Sequence, residues 1–210
     1  MKGARQRLRI KEIRGWGNEV EAVLVGENSD GIEIAFFDTR YFANRDRYQA
    51  GGNYDFRIGG LIYHARCTND ETIEMNDQKW IAEFYKGASD EPEQLPDGTL
   101  APVFIHYAGC TGYAGASEAY PEAYPEDAEF YCVIGKVAEF DIGGIRVFQI
   151  TPKFGDKTVP LPGVIFGAAS MFKDGYVPKP GDSIGGGLWT QGFLEEPKAK
   201  LPAKGKRSHG

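Results

Sequence analysis

Two short phrases gather the residue types that bind metals: His64-Ala-Arg-Cys67 and His106-Tyr-Ala-Gly-Cys110. Two imidazoles and two thiolates make a tetrahedral zinc set. The spacing argues against one. On a regular strand His64 and Cys67 have opposite parity and face opposite sides, so one ion reaches both only if the chain bends between them. Neither pair forms a tight Cys-x-x-Cys knuckle. Buried thiols and surface imidazoles are the plainer expectation, because unpaired cysteine is among the most buried residue types. We therefore expect no metal and no cofactor. Cys110 and Thr111 beside His106 also supply the residue types of nucleophilic catalysis, but Gly109-Cys-Thr-Gly112 is not flanked by a strand-to-helix pattern. No catalytic residue is assigned. The runs Gly59-Gly60 and Gly185 to Gly187 lack both the Gly-x-Gly-x-x-Gly spacing and a following Lys-Ser or Lys-Thr, so no phosphate cradle is indicated.

Aromatic and cationic side chains are the stronger lead. Phe36, Phe37, Tyr41, Phe42, Tyr48, Tyr54, Phe56 and Tyr63 sit in sequence near Arg40, Arg45, Arg47, Arg57 and Arg66. Aromatic platforms with neighbouring cations are how small barrels hold single strands. Half or more of these rings must be core. The residues expected to touch a ligand are Arg40, Tyr41, Arg57, Tyr63 and Trp189.

The charge balance weighs against a large phosphate-neutralising surface. The net charge is -6, yet it is strongly polarised along the chain. Residues 1–66 carry 11 basic and 9 acidic side chains, residues 67–130 carry 2 and 14, and residues 131–210 carry 11 and 7. The acidic middle, with Tyr120 and Tyr124 in a repeated Tyr-Pro unit, suits a surface loop that meets a basic protein partner. No apolar run approaches the ~18 residues of a membrane span. The basic start has no apolar stretch after it, so a cytoplasmic protein is expected.

These residues need elements to hold them. The 28 glycines, 12 prolines and 13% aromatics favour short strands and turns over helices. Val20 to Leu24 alternates, Asn28-Ser-Asp-Gly31 turns, and Ile32 to Phe37 returns as a hairpin partner. A second hairpin is expected from Phe130 to Phe140 and Ile145 to Ile150, around Asp141-Ile-Gly-Gly144. Each hairpin leads through a connector to a similar phrase. Tyr48 to Tyr63 and Tyr176 to Thr190 both run from an aromatic through a Gly-led turn into an apolar strand broken by glycines, as a bent closing strand would.

Hairpin, connector, bent strand is most of a five-stranded Greek-key barrel, and the pattern resembles an OB-fold. The resemblance implies an all-β protein of two small OB-like units packed together. The expected divisions are a basic lead-in over 1–14, a first unit over 15–67, an acidic Tyr/Pro/Gly-rich insert over 68–129, a second unit over 130–194 and a basic tail over 195–210. One sandwich using all the strands is the alternative. The expected function is non-enzymatic binding or adaptor work, with single-stranded nucleic acid as first ligand and a protein partner through the insert as second. An enzyme or small-molecule binder, with its site between the units near His106 and Cys110, is the competing class.

Overall fold

The computed structural model describes residues 3–86, 91–109, 111–115, 126–153 and 162–196. Within them the chain is mostly β, and nine of its strands form one ring-like mixed sheet. In chain order these are β1 (Ala4–Gly15), β2 (Ala22–Glu27), β3 (Glu33–Asp38), β4 (Asn53–Cys67), β7 (Gly112–Gly115), β8 (Asp127–Ile142), β9 (Ile145–Lys153), β10 (Ile165–Ala168) and β11 (Ser183–Leu194). The other two, β5 (Thr72–Met75) and β6 (Val103–His106), pair with each other alone. There are two short α-helices among the described residues, α1 (Tyr41–Asn44) and α2 (Gln78–Tyr85), and three single 3-10 turns at 45–47, 169–171 and 173–175. Asp77 caps α2 by accepting the Trp80 N–H at 2.8 Å.

The first expected hairpin forms as β2 and β3, and the second as β8 and β9. Residues 1–14 are the expected basic lead-in, with 7–14 read as either an edge strand or a frayed segment; Ala4–Gly15 form β1. Leu8 and Ile10 alternate inward among exposed charges, and both are fully buried. The insert expected over 68–129 carries β5, α2, β6 and β7.

The pairings close into two circuits. One runs β1-β2-β3-β11-β4 and back to β1, with β3 and β11 parallel and every other pair antiparallel. The other runs β8-β9-β10-β4-β11 and back to β8, with β10 and β4 parallel and the rest antiparallel. The long strands β4 and β11 therefore belong to both circuits. Closure removes the open edges that an exposed sheet would leave.

Each circuit has its own core, fed by different ends of the shared strands. Leu8, Ile10, Leu24, Phe36, Phe56 and Leu194 meet in the first. Phe130, Ile134, Phe148, Ile165, Ile62 and Leu188 meet in the second. On β4 the even-numbered residues Phe56, Ile58 and Ile62 point inward, after which Ala65 takes over. The phase changes at a bulge: Gly187 pairs with His64 and Leu188 with Ile62, which leaves Tyr63 unopposed. Gly186 explains its own identity, because a Cβ there would overlap the His64 carbonyl oxygen. Close approach of another backbone is one of the uses of glycine within a strand.

Candidate functional site

The shared β4–β11 ribbon buries one face in the two cores and turns the other outward. Outward pairs run in order along it: Arg57 opposite Phe193, Gly59 opposite Gln191, Leu61 opposite Trp189. All six are partly exposed. Strand parity places Trp189, Gln191 and Phe193 on one side, because Leu188, Thr190 and Leu194 are buried on the other. Arg40, just beyond the end of β3, sets its guanidinium 4.6 Å from the centre of the Phe193 ring, a cation–π contact. Thr39 beside it donates its hydroxyl to the Gly192 carbonyl at 3.1 Å. A pocket of about 210 Å³ opens in this face, lined among others by Arg57, Gly59, Leu61, Phe166, Gln191 and Phe193.

Arg57 is not a free cation. Its Nε and Nη2 donate to Glu195 Oε1 at 3.1 and 2.7 Å, and its Nη1 donates to the Gly3 carbonyl at 3.4 Å. Arg5 lies within 3.0 Å of both Glu195 and Asp55. This alternating chain of charges ties the ends of β1 and β11 to β4.

Of the five residues expected to touch a ligand, Arg40, Arg57 and Trp189 fall on this outer face. Tyr41 does not join them there. Its ring stacks on Tyr48, with centroids 6.3 Å apart, against the first core. Tyr63 stands at the bulge, 45% exposed, beside Gly187 and His64. Among the other aromatics of the first unit, Phe36, Phe37, Tyr48 and Phe56 are buried, whereas Phe42 is 62% exposed under the Arg45 guanidinium. Arg66 is held by two bonds to Glu71. Phe193 and Gln191 were missing from the sequence reading. The alternation Trp189, Gln191, Phe193 was the available signal.

The outward side of β2 and β3 is partly covered. Val23, Val25 and Phe37 are buried although they point away from the first core, and Phe37 lies between Trp16 at 5.5 Å and Trp189 at 5.2 Å. Glu126 is buried beside the same group. The Thr190 N–H donates to its carbonyl at 2.8 Å, and Trp189 hydrogen-bonds its side chain. Burial holds its carboxyl above the usual range, with Asp127 adding to the effect. Asp38 is likewise raised by burial and accepts the Tyr48 hydroxyl at 2.5 Å.

The metal-type residues are placed separately from this face. His64 on β4 accepts the Gly187 N–H through Nδ1 at 3.3 Å. His106 on β6 shares a hydrogen bond with the Thr72 hydroxyl at 2.9 Å. Cys67 is partly buried. Cys110, Tyr120 and Tyr124 lie outside the described residues. Among the described residues no three His, Cys, Asp or Glu side chains stand close enough together to hold an ion, and no helix is long and apolar enough to cross a membrane. No protein-family model matches the sequence, and neither the curated proteins nor the solved structures include a detectable relative.

Proposed function

We propose that the chain is a non-enzymatic binding protein made of two OB-like barrels that share β4 and β11, and that single-stranded nucleic acid lies along the outer face of the shared ribbon. The strand orders support the barrel reading. Each circuit follows the OB order 1-2-3-5-4-1 with its third and fifth strands parallel, and each barrel takes its fifth strand from the other half of the chain. The observation that carries the ligand class is the outward row Trp189, Gln191, Phe193 and Arg57, with Arg40 over Phe193. Aromatic rings accept any base by stacking, and an amide and guanidinium serve polar edges. The face usual for such barrels, on the second and third strands, is covered here at Val23, Val25 and Phe37.

Because Arg57 is held by Glu195, stacking supplies more of the affinity than phosphate neutralisation. With one or two phosphates contacted, the slope of log K against log salt for a single strand is about -0.7 to -1.4. Fluorescence anisotropy of labelled single-stranded DNA, RNA and duplex at two salt concentrations tests the reading.

A protein partner is the second reading. It is favoured by Phe84 and Phe104, 51% and 60% exposed in the part of the chain with 14 acidic and 2 basic residues. Exposed rings in an acidic surround suit a basic amphipathic segment. Partner capture that is lost in a Phe84→Ser/Phe104→Ser variant with an unchanged melt is its test.

A further inference from the structure

We infer that the pocket at Gly59 is a seat for one unstacked base of that strand. This deepens the binding reading above and rests on it. The pocket lies where Gly59 stands opposite Gln191, between the pairs Arg57 with Phe193 and Leu61 with Trp189. The backbone itself does not require glycine there. A Cβ on Gly59 would meet ordinary contacts: Val164 O at 3.4 Å, Gly3 Cα at 3.5 Å and Phe166 Cε2 at 3.5 Å. Gly192, two strand positions from Thr190 on the buried side, is different, because its Cβ would stand 2.7 Å from the Phe36 ring. A side chain at 59 would therefore fit against the Phe166 wall and take up part of the pocket.

The lining defines what fits that space. Phe166, Phe193 and Leu61 offer apolar and aromatic walls, and the Gln191 amide offers a donor and an acceptor. The Arg57 guanidinium is already bonded to Glu195 and to the Gly3 carbonyl, so the recognised group is a neutral ring rather than a phosphate. A flat heteroaromatic ring with donor and acceptor atoms on its edge matches these walls, and a base splayed from a single strand presents one.

The experiment titrates wild type, Gly59→Ala, Gly59→Val and Gln191→Ala with labelled short single strands, and separately with free adenosine, guanosine, cytidine and uridine. Thermal melts confirm that each variant is folded. The expected result is that filling the hollow weakens single-strand binding stepwise, by at least about tenfold in Gly59→Val, and that Gln191→Ala also weakens it. Strand binding indifferent to all three variants overturns the pocket while leaving the polymer reading intact. Nucleoside binding that is lost in Gly59→Val without any strand binding keeps the pocket and removes the polymer. No binding of either probe by wild type overturns both.

Discussion

Ile10 and Ile134 make the same pair of backbone hydrogen bonds in the two halves of the chain. Ile10 donates to the Gly52 carbonyl at 2.9 Å and accepts from the Gly51 N–H at 2.7 Å; Ile134 donates to Asp182 at 2.8 Å and accepts from Gly181 at 2.8 Å. A register shift follows each isoleucine, between Ile10 and Glu12 and between Ile134 and Lys136. Gly51 and Gly181 both hold positive φ, 82° and 94°, which a side chain resists. The two corners therefore share one local geometry, and β4 and β11 each pair in both circuits.

Sharing β4 and β11 is expected to make the two circuits unfold together. Phe56→Ala in the first core and Phe130→Ala in the second are each expected to cost about 3–5 kcal/mol. Both are expected to lower the same single transition, with calorimetric and van't Hoff enthalpies in agreement. Two resolved transitions, only one of them shifted by each variant, would contradict the shared-strand arrangement.

Glycines on the ribbon differ in what they tolerate. Gly186→Ala drives a Cβ into the His64 carbonyl, and overpacking against backbone costs about 1–3 kcal/mol or more. Gly59→Ala makes ordinary contacts and is expected to melt close to wild type. Thermal melts of the two variants side by side check this, and equal losses would contradict the described register.

Glu126 gives a pH dependence of definite sign. The ordinary Glu value is 4.5, and burial holds the folded value above it. The folded state thus binds this proton more tightly than the unfolded chain, so unfolding releases it between the two values. Stability falls as pH rises through that window, and the cost of the buried carboxylate is complete above the folded value. Glu126→Gln is expected to melt above wild type at about pH 8, with the difference closing toward about pH 4. A gap that does not change with pH would contradict it.

The two described cysteines should label in order. Cys132 is fully buried and burial pushes its thiol up to about 12, whereas Cys67 is only partly buried. Peptide mapping after brief alkylation of folded protein is expected to find Cys67 modified and Cys132 untouched until denaturant is added. Equal labelling would contradict the placement of Cys132 in the second core.

The local parts of the fold were legible and the long-range parts were not. Alternation and turn chemistry located both hairpins, and Gly51 and Gly181 marked the two corners. β1 was legible only as an edge strand or a frayed lead-in, because its inward pair Leu8 and Ile10 is flanked by Arg7, Arg9 and Lys11 and the apolar periodicity is short. Nothing local in Gln191 and Phe37 encodes their parallel pairing across most of the chain, which only closure of the whole circuit determines. At the site, residue type pointed to Arg40, Arg57 and Trp189, which the fold brings to one outer face. Tyr41 stands apart from them, stacked on Tyr48; an aromatic in a connector reads alike whether it stacks inward or faces solvent.

Anisotropy of labelled single-stranded DNA and RNA, with duplex as control, is the most direct measurement of whether the ribbon binds nucleic acid. Binding that favours single strands, weakens only gently with salt and is reduced in Phe193→Ala and Trp189→Ala is the predicted result. No binding at low salt, or tighter binding to duplex than to single strands, would contradict it.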